Sequence, residues 1–296
     1  MIGQDWINRA RLYLLAGQSE ERNKLSTAYT AGVSTTLSFQ YPMRSIQAGT
    51  RLSCGLNTFY VWDVNNNTAT VTGGEDGGTD ISLAQGAVVR VRPRWTDYEI
   101  WTAIGEDMLE LSSPTHGLFG VNDVIVPYLA SVGGYDLVGA NSIIAIDSVR
   151  YDATGDTIWP TMGPTNWELI RDPLKVDFPS GFGLFVYYGP WNSVDLKVTY
   201  RQPFTVPTDP TADVSATLLP STANDLPPMG AVVRLVSSRE IRRNQIETQP
   251  DTRRAAEVGP GAVAASYRGV AQMRAMRIMQ EAARLSAAYP IIKDFS

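Results

Sequence analysis

Side chains suited to acid–base or nucleophilic chemistry are sparse in this sequence. The chain has one histidine, His116, in the segment SSPTHG at residues 112–117. A serine and a histidine this close could form a nucleophile–base pair, but the pair needs a third group to orient the imidazole, and no motif supplies one. There is also no phosphate-binding loop, dinucleotide fingerprint or nucleophile elbow. The sequence therefore predicts a protein that is not an enzyme.

One segment imitates the start of a calcium-binding EF-hand loop. Asp63, Asn65 and Asn67 have the spacing of its first three ligands. Thr68, however, replaces the required glycine, and Gly74 stands where the bidentate glutamate belongs. We interpret the segment as a hairpin turn.

Two further groups of carboxylates could do chemistry in principle. Glu75, Asp76 and Asp80 lie in a glycine-rich turn that could hold calcium, although such turns are common without metal. Asp172 and Asp177 could serve glycoside hydrolysis, which requires a fixed separation between two carboxyl groups. Exposed charges at strand ends explain this pair more simply. We predict no metal site, no catalytic residue and no cofactor.

Composition indicates a folded protein with an uneven charge distribution. Hydrophobic residues make up 44% and charged residues 19% of the 296 positions, as in globular proteins. The single cysteine, Cys54, can form no internal disulfide, and no signal peptide or long apolar run indicates secretion or membrane insertion. Residues 239–296 carry a balance of +4 against −9 for the preceding residues, within a net charge of −5. The chain is thus a basic tail on an acidic body.

Four segments have the apolar spacing of helices. They are predicted at residues 5–16, from Thr96 onward, at 228–245 and at 262–288. The second has the sharpest start signal, because Thr96 and Glu99 match a capping box and Trp95 can pack onto Ile100. Pro228 suits the first turn of the third helix.

Two strand-rich stretches separate these helices. Residues 27–93 contain alternating β-branched segments with turns at residues 65–67 and 73–78, which favours a small antiparallel barrel or sandwich. Residues 121–206 contain short strand signals, including residues 143–146, 174–178, 184–188 and 196–200, and favour a β-sandwich. The run from Pro203 to Pro220 is typical of a linker or extended arm.

The last predicted helix has two apolar flanks on a helical wheel. One flank holds Val263, Tyr267, Val270, Ile278 and Leu285, and the other holds Met273, Met276, Met279 and Ala283. Two apolar flanks need two sets of neighbours, which could come from the same chain or from other subunits. Between the flanks lie Arg274, Arg277 and Arg284, which could face solvent or pair with acidic side chains or phosphates.

Several passages resemble the head-to-tail adaptor (neck or connector) proteins of tailed bacteriophages. WINRARLYL at residues 6–14 is similar to their first helix, and RWTDYEIWTAI at residues 94–104 is similar to their second. Residues 46–50, 73–79 and 85–89 resemble β-modules that are common in phage structural proteins. IMQEAARL at residues 278–285 is similar to the closing helix of adaptors.

The resemblance implies a fold and a role. It implies an α+β protein with a discontinuous four-helix core and two inserted antiparallel β-domains, a small barrel or sandwich and a larger β-sandwich. Copies would form a homo-oligomeric ring, a dodecamer in this family, that binds the portal protein and a downstream tail or neck protein. DNA would pass through the centre of the ring, where an acidic body would let it slide. The protein would belong to the virion neck, be assembled in the bacterial host cytoplasm and have no membrane contact.

These expectations assign each part of the chain and each group of residues. The expected parts are residues 1–26 (first helix), 27–94 (small β-domain), 95–120 (second helix), 121–206 (β-sandwich), 207–227 (linker or arm) and 228–296 (third and fourth helices with the tail). The expected helical core contains Trp6, Ile7, Leu14, Trp95, Trp101, Ile104 and Met108. The expected portal or subunit interface contains Tyr267, Val270, Met273, Arg274, Met276, Arg277, Met279, Arg284, Leu285, Tyr289, Ile291, Ile292 and Phe295.

Two other functions fit the same sequence. A stopper, tail terminator or tail-tube component would use the same elements at another position in the neck or tail. A carbohydrate-binding or hydrolytic host-recognition module is the alternative from a different class, because Trp159, Trp167 and Trp191 could stack on sugars.

Overall fold

The computed structural model describes residues 1–15, 18–42, 44–139, 142–152, 159–190, 194–246 and 262–290, leaving aside the side chains of 238–246 and 262–267. This part of the chain is a mixture of α-helices and antiparallel sheets. Its α-helices are α1 (Gly3–Leu15), α2 (Asp97–Leu111), α3 (Leu226–Ile246) and α4 (Ala262–Ala288). None of these helices combines the length and the apolar character needed to cross a membrane.

Twelve β-strands are present in the described ranges. They are β1 (Arg22–Lys24), β2 (Thr36–Ser38), β3 (Arg51–Cys54), β4 (Asn57–Asn65), β5 (Thr68–Gly73), β6 (Val88–Val91), β7 (Gly120–Tyr128), β8 (Gly134–Asp136), β9 (Ala145–Tyr151), β10 (Trp167–Arg171), β11 (Phe182–Val186) and β12 (Val194–Gln202).

The chain divides into two compact units. The first comprises Met1–Asp107, Thr208–Ala212 and Asp225–Arg274, and the second comprises Met108–Pro207, Asp213–Asn224 and Ala275–Ser296. The units are described separately below.

The β-part of the first unit is a six-stranded antiparallel sheet in the order β1-β6-β3-β4-β5-β2. The two edge strands approach each other where Leu25 bridges Phe39, which curls the sheet toward a barrel. Inside lies one apolar cluster, which includes Leu25, Leu37, Leu52, Phe59, Val61, Ala69, Val89 and Val91. Strands β2 to β6 all lie within residues 27–93, so the strand-rich stretch predicted there is confirmed.

The hairpin between β4 and β5 explains the EF-hand imitation. Asn66 and Asn67 form a two-residue turn, and Asn66 has φ 54°. Asparagine tolerates this left-handed conformation better than most residues. The asparagines therefore serve the turn, as the sequence indicated.

A buried ionic cluster joins helices and sheet within the first unit. Arg11 on α1 donates to the carboxylates of Glu20 (2.7 Å) and Asp97, and also to the carbonyl of Trp95 (3.1 Å). Arg90 on β6 lies 3.5 Å from Glu20 and 2.9 Å from Asp97. Burial lowers the pKa of Arg90, an effect that the charge of Asp97 opposes. The cluster ties α1 and the start of α2 to the sheet.

The helix predictions agree closely with the structure. The predicted starts and ends of the first, third and fourth helices lie within two residues of α1, α3 and α4. The capping box of α2 is confirmed: the Thr96 amide donates to Glu99 Oε2 (2.7 Å), and the Glu99 amide donates to Thr96 Oγ1 (3.0 Å).

The residues expected in a helical core are mostly inaccessible to solvent. Trp101 is half-buried. The others are buried: Trp6, Ile7, Leu14, Trp95, Ile104 and Met108.

The second unit contains two three-stranded antiparallel sheets. Their strand orders are β7-β12-β9 and β10-β11-β8. One apolar cluster draws residues from both sheets, including Val126, Tyr135, Val149, Leu184, Leu196 and Val198. The strand-rich stretch at residues 121–206 thus contains two antiparallel sheets that share one apolar cluster.

Two local predictions in the second unit are wrong. Residues 174–178 form a turn rather than a strand, because Pro173 has no amide to donate and the amides of Asp177 and Phe178 both donate to the Leu174 carbonyl. The strand expected from residue 143 begins only at Ala145.

The predicted linker is packed rather than extended. Within the first unit, Pro210 and Ala212 accept hydrogen bonds from the amides of Gln4 and Gly3 at the start of α1. Within the second unit, two short 3-10 turns, Val214–Thr217 and Ser221–Ala223, follow one another, and Leu219 between them is buried. Backbone hydrogen bonds, the two turns and the burial of Leu219 fix this segment, although its proline-rich composition is typical of a linker.

Candidate assembly surface

The α4 helix carries the residues expected at an interface, and one of its arginines is held inside the first unit. Arg274 Nη2 donates to Asp107 Oδ1 on α2 over 2.6 Å. Asp107 is only 1% exposed, and Arg274 is 9% exposed. Removing either partner would leave a buried charge, so this pair anchors α4 within the unit.

The third helix completes the surroundings of Asp107. Gly230 on α3 lies so close that a Cβ placed there would overlap the Asp107 carboxylate. Arg234, one turn further along α3, lies 4.0 Å from Asp107 and 3.3 Å from Glu106. Helices α2, α3 and α4 therefore meet at one carboxylate.

In the second unit a buried carboxylate of α4 itself bonds to two arginines of the same helix and to Thr222. Glu281 is 4% exposed and accepts hydrogen bonds from Arg284 Nε (2.8 Å), Arg277 Nη2 (3.3 Å) and Thr222 Oγ1 (2.9 Å). Arg277 also donates to the Thr222 carbonyl over 2.7 Å. Burial acts to raise the pKa of the Glu281 carboxyl, but the bonds from Arg284 and Thr222 and the nearby arginine charges lower it below its ordinary value.

The end of α4 is fastened to the sandwich by Arg201. This arginine of β12 donates from Nη2 to the carbonyl of Tyr289 (2.6 Å) and from Nε to Asp147 (2.6 Å). Its guanidinium lies 4.1 Å from the ring centroid of Phe119, and the Tyr289 ring lies 6.3 Å from the same ring. Burial raises the pKa of Asp147, which the Arg201 bond and charge oppose.

The opposite side of α4 faces solvent. In the second unit, Met276 is 52% exposed and Met279 is 64% exposed, and Ala283 is exposed beside them. Met273, earlier on the same helix, is also exposed. We call Met276, Met279 and Ala283 the methionine face. Methionine side chains adapt to irregular partner surfaces, so an exposed row of them suits docking.

The structure separates the expected interface residues into three groups. Arg274 and Leu285 are buried in contacts within the chain, and Val270, Arg277 and Tyr289 are half-buried. Met273, Met276, Met279 and Arg284 are exposed. The Tyr267 side chain and Ile291, Ile292 and Phe295 lie outside the described residues, as do Val263's side chain and Trp191.

Sequence reasoning missed the two carboxylates that pair with these arginines. The signal was present: Asp107 lies three residues after Ile104, and Glu281 lies three residues after Ile278. Both acids thus interrupt the apolar stripe of an amphipathic helix. An acidic residue within such a stripe indicates a buried ion pair.

The residues weighed for chemistry have other partners. His116 Nε2 lies 3.6 Å from Glu110, and Ser112 Oγ accepts a hydrogen bond from the Phe204 amide. Asp76 pairs with Arg51, and Asp80 accepts from Tyr29, Asn57 and the Gly32 amide. Within the described ranges, no group of three or more potential metal ligands occurs. Trp159 and Trp167 are half-buried.

A groove in the first unit is the other concave feature of note. It encloses about 280 Å³ between α2 and α3, and Tyr98, Thr102, Glu106, Arg234 and Leu235 line it.

No protein-family model matches the sequence, and no curated protein is significantly similar to it.

Proposed function

We propose that this protein is a non-enzymatic structural component of a tailed-phage virion, a head-to-tail adaptor. Copies form a ring that docks on the portal protein, connects the capsid to the tail and surrounds the DNA channel. The proposal includes a discontinuous four-helix core that carries two inserted antiparallel β-domains. The order along the chain supports it, because the curled sheet lies between α1 and α2 and the sandwich between α2 and α3.

The methionine face is the observation that carries the proposal. The arginines of α4 pair with Asp107 and Glu281, whereas Met276 and Met279 remain more than half exposed. Exposing large apolar side chains on a helix that is otherwise well packed costs solubility without adding stability, unless a partner covers them. We infer that the partner is the portal protein.

The charge of the protein suits a DNA channel. The net charge of −5 repels the phosphate backbone at long range, and DNA that must slide should not be held. This charge supports a position around the DNA channel.

Mixing the purified chain with portal rings tests the proposal. In a Met276→Glu/Met279→Glu variant, loss of two methionines that the portal would cover should weaken portal binding by about 100-fold, at about 1.5 kcal/mol or more for each side chain. Leu109→Glu is the matched control, because Leu109 is an equally exposed apolar residue on α2 and should bind as the wild type does.

Binding and mass should be measured together by analytical ultracentrifugation. Ring formation with the portal, lost in the methionine variant and kept in the control, would support the adaptor role. A chain that stays monomeric with and without the portal and binds glycans would overturn it.

A further inference from the structure

The outer face of the curled sheet in the first unit carries an exposed aromatic pair. Tyr60 and Trp62 lie on β4, and Trp62 is 59% exposed. Val61 between them is buried in the apolar cluster of the sheet, so the two rings lie on the side away from that cluster. They therefore contribute little to the core of the unit.

Two contacts fix the orientation of the Trp62 ring. Its Nε1 donates to Thr72 Oγ1 on β5 over 2.7 Å. The ring also meets the Tyr60 ring at a centroid distance of 4.6 Å and an angle of 65° between the planes. The indole is thus positioned before any ligand arrives, which lowers the entropic cost of binding.

A β-bulge places a carboxylate next to the indole. The register between β4 and β5 shifts between Val61 and Asp63, and Trp62 and Asp63 are both exposed. In a regular strand, consecutive side chains point to opposite faces of the sheet. Bulges re-aim side chains in this way, and they are over-represented next to active sites.

Hydroxyl groups continue from this carboxylate across the sheet. Thr70 on β5 pairs with Asp63 on one side and with Thr36 on β2 on the other. The three side chains are exposed and form a row with a spacing of about 5 Å between strands. None of them has a side-chain hydrogen bond to another described residue, so their oxygens are open to a ligand. We call the whole set the tryptophan–threonine face: Thr36, Tyr60, Trp62, Asp63, Thr70 and Thr72.

The charge of this face selects among ligands. Asp63 is the only charged residue in β2, β4 and β5. Arg51, which pairs with Tyr60 from β3, forms ion pairs with Asp76 (2.7 Å) and Glu99 (3.4 Å). A nucleic acid or another polyanion needs cations that these strands do not provide. The two rings contact each other directly, so an ammonium group has no space between them.

We propose that the tryptophan–threonine face binds a neutral oligosaccharide. A sugar ring has a C–H face that stacks on an aromatic ring, and its hydroxyl groups hydrogen-bond to carboxylate and threonine oxygens. The face provides both kinds of contact side by side. The inference is independent of the adaptor role, because it needs neither a ring of copies nor a portal.

This site differs from the sugar site that the sequence indicated. That hypothesis used tryptophans of the second β-region, where Trp159 and Trp167 are half-buried. Trp62 is an exposed and oriented indole in the first unit instead.

Native affinity electrophoresis of the full chain tests the site. Gels contain a soluble neutral glucan, mannan or galactan, and at least one of the three should retard the wild type. Trp62→Ala should weaken the apparent affinity by about tenfold, because the stacked ring is lost. Tyr188→Ala is the matched control, because Tyr188 is a 76% exposed ring in the second unit and should leave the affinity unchanged.

Thr72 tests whether the orientation of the indole matters. Thr72→Val keeps the shape of the side chain but removes the acceptor of the Trp62 N–H, and it should weaken binding by about threefold. Thr72→Ser restores the acceptor and should recover the affinity. Equal thermal unfolding of these variants and the wild type shows that the sheet stays folded.

Asp63→Asn distinguishes a sugar from a cation. The amide still forms hydrogen bonds with sugar hydroxyls, so the affinity should fall less than in Trp62→Ala. Binding of a neutral sugar should also be the same at low and high salt, whereas salt screens the attraction between an exposed carboxylate and a cation.

Each outcome decides the inference. The proposal is overturned if none of the three neutral polymers retards the chain, if Tyr188→Ala rather than Trp62→Ala loses binding, or if salt abolishes it. Rings on the portal without sugar binding would refute this inference alone. Sugar binding at Trp62 by a chain that does not bind the portal would refute the adaptor role alone.

Discussion

Arg274 on α4 donates a hydrogen bond to Asp107 on α2 over 2.6 Å, and both side chains are nearly inaccessible to water. The arginine was expected at a surface where other subunits bind. Its actual partner is an acid within the same unit. The exposed part of α4 is therefore the methionine face, whereas Arg274 and Arg277 bond the helix to Asp107 and to the Thr222 carbonyl.

Breaking the Arg274–Asp107 pair should destabilise the protein strongly. Asp107→Ala leaves Arg274 buried without its carboxylate, for which we expect a loss of about 3–5 kcal/mol in the free energy of unfolding. Chemical denaturation followed by circular dichroism measures this. Glu106→Gln, which breaks only an exposed pair with Arg234, should cost less than about 1 kcal/mol.

A double replacement distinguishes the effect of the two charges from the effect of packing around them. Asp107→Leu combined with Arg274→Met removes both charges and should recover most of the stability that Asp107→Ala loses. Equal loss in the double variant would mean that packing around Asp107, rather than charge, dominates.

Two glycine substitutions should have opposite effects. Gly230→Ala on α3 forces a Cβ into the Asp107 carboxylate and should destabilise the protein by about 1–3 kcal/mol. Gly269→Ala on α4 meets no atom within 4 Å and should stabilise the helix by about 0.5–1 kcal/mol. Thermal unfolding of the two variants side by side measures the difference; stabilisation by both would contradict the close approach of α3 to Asp107.

The Glu281 cluster should make stability depend on pH. Because the pKa of Glu281 is lowered in the folded protein, its ionised form stabilises the fold above the ordinary glutamate pKa. This contribution is lost as the pH falls through the lowered pKa. Melting temperatures of the wild type and Glu281→Gln should therefore differ at neutral pH and converge in acid. Parallel curves would show that Glu281 contributes nothing through its charge.

The capping box of α2 should contribute measurably. Thr96→Ala removes the side-chain acceptor for the Glu99 amide and should cost about 1 kcal/mol of stability. Thr96→Ser keeps the hydroxyl and should retain most of it. A loss in Thr96→Ser as large as in Thr96→Ala would assign the effect to the packing of the threonine methyl group instead.

Local signals predicted the local structure well. The Thr96–Glu99 box, the Asn66–Asn67 turn and the limits of α1, α3 and α4 depend on residues a few positions apart, so the chain encodes them directly. The strand predicted at residues 174–178 does not form. Its apolar residues alternate as in a strand, but within the described residues no strand pairs with it, and Pro173 begins a turn that exposes Leu174 and Val176.

The sequence alone therefore determined the helices, most strands, the uneven charge and the scarcity of side chains suited to acid–base or nucleophilic chemistry. Only the tertiary structure decided which side of α4 is free. That outcome depends on Asp107, which lies 167 residues before Arg274, and on Thr222, which lies 59 residues before Glu281. A helical wheel gives the direction of each side chain but not its partner, because partners are chosen by contacts between elements that are distant in sequence.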